Sequence, residues 1–221
     1  NRLMSNKVFS KLKVVELASV LAGPSAGQFF AELGAKVIKI ENKKSGGDVT
    51  RSWKLPSENK ETKESAYFYS VNTGKTHLLL DLQNANDHAA CLTEIADADI
   101  LITNYKKGDD KKLKLDYAHI KKINTGIIYA SINGFGEESS RTAYDLILQA
   151  ESGFMVMNGE ENSEPLKMPV ALIDVLAAHQ LKEAILIALL KKQQTGKGCM
   201  VSVSLFDSAV ASLVNQATNW L

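Results

Sequence analysis

Short runs dense in β-branched residues alternate with segments of helical period along the first two-thirds of the chain, and this alternation restricts the fold more than any other feature. Runs at Leu12 to Leu17, Lys36 to Ile40, His77 to Leu82, Asp99 to Asn104 and Gly126 to Asn133 read as strands. Helices are predicted between them through Gln28 to Leu33, around Asp87 to Ala96 and over Tyr117 to Ile123. Strands this apolar belong to a parallel sheet whose crossover helices cover both faces, so an α/β, Rossmann-like fold is expected. Ser45 to Ser65, rich in Lys, Glu, Gly and Ser around Pro56, reads as a long excursion over the surface.

Beyond Gly134 the pattern turns helical. Tyr144 to Met155 is helix-like, and a longer helix starts near Asp174, with Leu181, Ala184, Ile185, Ala188 and Leu189 on one face. Lys191 and Lys192 fall in its last turn and Gly196 just beyond, where cations and a left-handed residue belong. A strand at Met200 to Ser204 follows, then a helix from about Asp207 that runs to Trp220 and Leu221 without a stop signal. The expected organisation is a tag remnant and arm over residues 1–11, with Met4 as the natural start, and one large domain over residues 12–221 that ends before a second, smaller domain.

Composition removes several classes. With 45% hydrophobic and 23% charged residues and a net charge of +1, the chain is neither a disordered segment nor a basic nucleic-acid binder. No stretch reaches the ~18 apolar residues of a spanning helix, and the amino end lacks an apolar signal core, so a cytoplasmic protein without a membrane partner is expected. Cys91 and Cys199 form neither a disulfide framework nor a metal-ligand spacing. Both are expected to be buried small residues, and no metal site is expected.

Three local patterns carry chemistry. The stretch LKVVELASVLAGPSAGQFFAELGAKVIKIE has the strand, loop, helix, strand and terminal acid (Glu41) of a dinucleotide site. Gly23 and Gly27 flank Pro24 without the tight G-x-G-x-x-G spacing, so an NAD site is not expected, and on spacing alone Glu41 is a solvated strand end. Lys106 to Lys122 holds seven lysines and three aspartates. It is either a solvated face or an anchor for phosphates; stacking aromatics for RNA are nearly absent. Asp174 stands at the start of a long helix, where aspartate is a preferred N-cap, although Ala177 does not complete a capping box.

The first pattern, followed in order by SVNTGKTHLLLDL, ADADILITNYKKG, LDYAHIKKINTGIIYASINGFG, AYDLILQAESG and KQQTGKGCMVSVSLFDSAV, resembles the family III (CaiB/BaiF-type) coenzyme A transferases. The resemblance covers the chain from residue 12 onward. It implies coenzyme A or acyl-CoA as substrate, no permanently bound cofactor, a small carboxylic acid as second partner, and an interlocked homodimer. By matching motifs, the coenzyme would meet Leu21 and Ala22, Asn42, Leu80, Asp81, Leu82 and Gln83, Asn104, Tyr105 and Lys106, Lys112, and Thr142, Ala143, Tyr144 and Asp145. Leu21 stands where formyl-CoA transferases carry glutamine, which argues against a formyl or oxalyl substrate. Asn42 stands where arginine is common, which passes phosphate binding to Lys43 and Lys44.

Asp174, in PVALID, matches the family's catalytic aspartate, which attacks the thioester to give a mixed anhydride and then an aspartyl-CoA thioester. The expectation is that it remains ionised at the helix terminus. Ile173 replaces a glycine common in relatives, and a glycine-rich loop covering the site would lie beyond residue 221. Two alternatives stay open: a 2-methylacyl-CoA racemase of the same superfamily, and a non-catalytic CoA-binding or dimerisation fragment. Racemases place a histidine where this chain has Tyr144, a poor base with an ordinary pKa of ~10. His77 opens a strand, His88 and His119 are predicted on exposed helix faces, and His179, five residues past Asp174, is predicted to be surface or core rather than a partner.

Overall fold

The computed structural model describes residues 7–221, so Met4 and the proposed tag remnant lie outside the described residues. Six strands are formed: β1 (Lys13–Glu16), β2 (Lys36–Asn42), β3 (Thr76–Leu80), β4 (Ile100–Thr103), β5 (Ile128–Asn133) and β6 (Cys199–Ser204). All neighbours pair in parallel, in the order β3-β2-β1-β4-β5-β6. The chain winds outward from β1 to β3 and then returns to place β4 against the other side of β1. Loops leaving β1 and β4 therefore diverge, opening a crevice at the carboxyl ends of these two strands.

The helices are α1 (Ala22–Glu32), α2 (Ala66–Ser70), α3 (Ala85–Ala96), α4 (Asp109–Lys112), α5 (Tyr117–Ile123), α6 (Asp145–Glu151), α7 (Phe154–Met157), α8 (Leu172–Thr195), α9 (Leu205–Ser212) and α10 (Asn215–Trp220). Val14, Ile100 and Ile102 face one core with α1, α6, α8 and α9. Val15 and Leu101 face the other with Cys91 and Ile95 of α3 and Ile120 of α5. Successive strand residues point to opposite faces, and the inner strands β1, β4 and β5 are covered on both, so they have no polar alternation to show. Burial of each such Val, Leu or Ile contributes roughly 1.5–3 kcal/mol. No helix among the described residues is long and apolar enough to cross a membrane.

Four expectations need correction. The helix predicted over Tyr144 to Met155 is two helices, because Gly153 adopts a φ of 84° and ends the first. The last helix starts at Leu205, where the Ser204 hydroxyl accepts the Asp207 N–H, and it breaks before α10 at Val214, whose φ is 40°. The Ser45 to Ser65 excursion is not wholly superficial: Asp48, Thr50 and Ser65 are buried, and the Ser65 hydroxyl donates to the Thr50 carbonyl at 2.6 Å. Cys91 is buried as expected, whereas Cys199 at the start of β6 is only partly covered.

Candidate functional site

A groove follows the crevice. Its larger chamber, about 570 Å³, is lined by Leu17 to Ser19 after β1, by Asn42, Lys44 and Asp48 after β2, by Leu80 to Gln83 after β3, and by Asn104 to Lys106 after β4. A smaller chamber of about 210 Å³ is lined by Val20, Arg141 to Tyr144 and again Asn104 to Lys106. The structure thus gathers Asn42, Leu80, Asp81, Leu82, Gln83, Thr142, Ala143 and Tyr144 around a shared wall of Asn104, Tyr105 and Lys106. Leu21, Ala22, Lys112, Asp145 and Asp174 line neither chamber. Leu21 and Ala22 form the start of α1, and Lys112 pairs with Asp109 at 2.8 Å on the exposed α4.

Beneath the loop that follows β1 lies a buried ionic network. The Glu16 carboxylate receives Lys39 at 2.9 Å and Lys75 at 2.8 Å, and Lys39 also pairs with Asp48 at 3.1 Å. All four side chains are fully enclosed. The same groups hold the loop: Lys39 donates to the Ala18 carbonyl, Lys75 to the Pro24 carbonyl, and the Val20 N–H donates to Asp48 at 3.2 Å. Val20 sits at φ 72°, a costly conformation for a β-branched residue, and it is tolerated here because so many bonds define the loop around it.

Burial alone would raise the Glu16 carboxyl, but the Lys39 and Lys75 charges overcome it and hold the group below its ordinary value. At Lys75 burial wins against the pull of Glu16, and the ammonium is pushed down to about 8. A Cβ at Gly27 would lie 1.8 Å from a Glu16 carboxylate oxygen, so this glycine lets α1 pass over the network. A signal for the network was present in the sequence, since Glu16 and Lys39 are charged residues inside otherwise apolar strands.

Glu41 is not a solvated strand end. Arg51 grips it through two nitrogens at 2.7 Å, His77 approaches at 2.9 Å, and the Asp48 N–H donates at 2.7 Å. Burial opposes its ionisation, yet these donors hold the carboxyl far below the usual range. His88 is half-buried rather than exposed, bonding the Leu113 carbonyl at 2.7 Å. His119 and His179 are exposed.

Asp174 is not the cap of α8. It is the third residue of that helix, and Ala171 occupies the N-cap position without a side-chain bond. The cap comes from α6: one Asp145 oxygen accepts the N–H of Ile173 at 2.7 Å and of Asp174 at 3.3 Å. The Asp174 carboxyl is pushed up to about 7, first by burial and then by the Asp145 carboxylate, which reverses the expectation of a stably ionised group. The Tyr67 hydroxyl, on α2, is raised by burial and then by the charges of Asp174, Asp145 and Asp48. Asp174 is tied through its backbone N–H to Asp145, the residue that follows Tyr144 in the wall of the smaller chamber.

The chain matches the model of CoA-transferase family III over residues 9–221. It is 38% identical over 218 residues to the succinate–glutarate CoA-transferase of Agrobacterium fabrum, covering 96% of this chain and 54% of that protein. Identity to the succinyl-CoA:glutarate CoA-transferase of Homo sapiens is 35% over 218 residues, covering 97% of this chain and 49% of that protein. A solved CaiB/BaiF family protein from Brucella suis superposes with a TM-score of 0.92 at 39% identity, over 97% of this chain and 57% of the other. The chain spans about half the length of the curated relatives it matches. Since the match runs through every strand that builds the groove and through the helix that carries Asp174, the chain belongs to CoA-transferase family III.

Proposed function

We propose that the protein moves coenzyme A from an acyl-CoA to a carboxylic acid, with the coenzyme along the groove and Asp174 as the nucleophile. The observation that carries this reading is the state of Asp174: a half-buried carboxyl in the first turn of α8, coupled to Asp145 and raised to about 7. Near neutral pH such a group is substantially ionised yet more basic than an ordinary carboxylate. Among the described residues no hydrogen-bond donor reaches its oxygens to weaken their attack.

In the proposed sequence, an Asp174 oxygen attacks the thioester carbonyl, and the carbon–sulfur bond breaks to leave a mixed anhydride and the coenzyme thiolate. The thiolate then attacks the Asp174 carbonyl of the anhydride, releasing the first carboxylate and leaving an aspartyl-CoA thioester. The acceptor carboxylate attacks that thioester and expels the thiolate. The thiolate takes the acceptor acyl group, and Asp174 is regenerated with no net gain or loss of protons. Asn42, Leu80 to Gln83, Asn104 to Lys106 and Thr142 to Tyr144 are proposed to contact the coenzyme. Leu21 and Ala22, which start α1 beside the strained Val20, are proposed to border the acyl group.

The relatives named for succinate and glutarate make succinyl-CoA and glutarate the first pair to assay. We further propose that the whole protein is a homodimer, whose partner would cover apolar side chains now exposed, including Val156, Ile187 and Trp220. The experiment is to incubate the protein with succinyl-CoA, quench with hydroxylamine or borohydride, and locate the modified residue by mass spectrometry. A hydroxamate or alcohol at Asp174, lost in Asp174→Ala, is expected. Unmodified Asp174 together with full turnover by Asp174→Ala would end the proposal, and racemisation of a 2-methylacyl-CoA would replace it with the isomerase.

A further inference from the structure

The amino terminus of α8 contains an unusual substitution of roles. Asp174 stands in the first turn, where exposed N–H groups and the helix dipole ordinarily favour a negative charge. Those N–H groups are already taken. Asp145, from α6, accepts two of them through one oxygen, while its other oxygen accepts the side-chain amide of Gln149. Gln149 is fully buried and is itself fixed, donating to the Val170 carbonyl at 3.1 Å and accepting the Met168 N–H at 2.9 Å.

The segment leading into α8 is thus clamped by α6 at four backbone groups, at Met168, Val170, Ile173 and Asp174. The charge balance at the helix terminus is also inverted. A free helix start presents about half a positive charge, and a whole negative charge placed on it leaves about half a negative one.

We propose that Asp145 is a positioning residue for Asp174: by capping α8 from a neighbouring helix, and being locked there by Gln149, it sets the location of the Asp174 carboxyl and withholds from it the donors of its own helix. Two consequences follow for the carboxyl. It has no local amide to lean on, and it meets a like charge at close range. Both raise its basicity, in addition to burial. Among the described residues, two titratable side chains from other elements are coupled to Asp174 through their charges. These are Asp145 of α6 and Tyr67 of α2, and the Tyr67 hydroxyl is raised above its ordinary value and stays neutral near pH 7. The consequence for thioester attack rests on the transferase reading, but the electrostatic and positional claim does not.

The test is a titration of the Asp174 carboxyl by carbon-13 NMR in protein labelled at aspartate, with the resonance assigned from Asp174→Asn. In the native protein the midpoint is expected near 7. In Asp145→Asn, which keeps an oxygen acceptor for the α8 amides and removes the charge, the midpoint should fall by about one pH unit or more, while burial keeps it above the ordinary ~4. In turnover assays the acid limb of the kcat profile should move down by the same amount, with KM for acyl-CoA little changed. Tyr67→Phe should leave the midpoint high.

A native midpoint near 4, or an Asp145→Asn midpoint identical to native, overturns the inference. These readings need no catalysis. A shifted midpoint without any Asp174 thioester would sink the transferase mechanism and leave the positioning role standing.

Discussion

Asn104, one residue past β4, closes a two-bond ring on Ser19, one loop away across the crevice: its amide nitrogen donates to the Ser19 carbonyl at 2.9 Å and its oxygen accepts the Ser19 N–H at 3.1 Å. The two strands at the switch point are therefore tied together at the point where they diverge. Asn104 also lines both chambers of the groove. Asn104→Ala should weaken coenzyme A binding by roughly tenfold, the equivalent of one or two net hydrogen bonds, with a smaller loss of thermal stability. Asn104→Asp retains the acceptor and loses the donor, so it should fall between. Titration calorimetry with coenzyme A reads both, and an unchanged affinity in Asn104→Ala would detach the latch from binding.

Glu16 holds two lysines in a space closed to water, so its removal leaves charges without compensation. Glu16→Gln should destabilise the fold by about 3–5 kcal/mol in urea unfolding, the range for a broken buried ion pair. Lys75 loses the one carboxylate it pairs with among the described residues, whereas Lys39 keeps Asp48. Adding Lys75→Met to Glu16→Gln should therefore recover part of the loss, whereas adding Lys39→Met should recover less. Full stability in Glu16→Gln would show that the network is hydrated and inexpensive to break.

The raised carboxyl of Asp174 links stability to pH with a definite sign. Its folded value, about 7, lies above the unfolded value near 4, so between these limits the folded state binds more protons and becomes less stable as pH rises. The penalty is absent below about pH 4 and complete above about pH 7, with an upper bound of about 4 kcal/mol. Asp174→Asn should thus raise Tm at pH 8 and leave it nearly unchanged at pH 4. A Tm difference independent of pH would show that Asp174 titrates normally.

The sheet was legible because a parallel strand covered on both faces is mostly apolar, as ILIT of β4 and the Val14–Val15 pair of β1 show without structural help. The helix breaks were harder to see. Gly153 is a visible signal that a helical pattern on both sides obscured, and nothing in the residues around Val214 marks a turn. For the site, matching motifs gathered the groove lining, since loops at the ends of parallel strands converge once the sheet is formed.

Roles that depend on contacts between distant segments were not legible. Asp174 reads as a cap from local spacing, and only the approach of Asp145, 29 residues earlier, shows that the cap is supplied by another helix. Glu41 reads as solvated until Arg51 folds back over it. The charged residues within β1 and β2 were the missed clue, because a lysine or glutamate in a doubly covered strand requires a buried partner.

The lysine-rich stretch left two readings open, a solvated face and a phosphate anchor, and the structure divides them by residue. Lys112 lines neither chamber and pairs with Asp109, on the wall of the larger one, whereas Lys107 lines the smaller chamber but is engaged by Glu138 at 2.9 Å. Lys106 lines both chambers and, among the described residues, pairs with no carboxylate. Lys44 lines the larger chamber but is already engaged by Asp81 at 3.2 Å and Gln83 at 2.7 Å. If the groove holds the coenzyme phosphates, Lys106→Ala should weaken binding by roughly tenfold or more and flatten its salt dependence, because an available ammonium meets the anion without first giving up a partner. Lys44→Ala should cost less, since that ammonium is already shared between Asp81 and Gln83 before any anion arrives. Lys112→Ala should leave the affinity unchanged. Affinities measured for the three variants at low and high salt decide the matter, and equal losses at Lys106 and Lys112 would return the whole stretch to a diffuse positive surface.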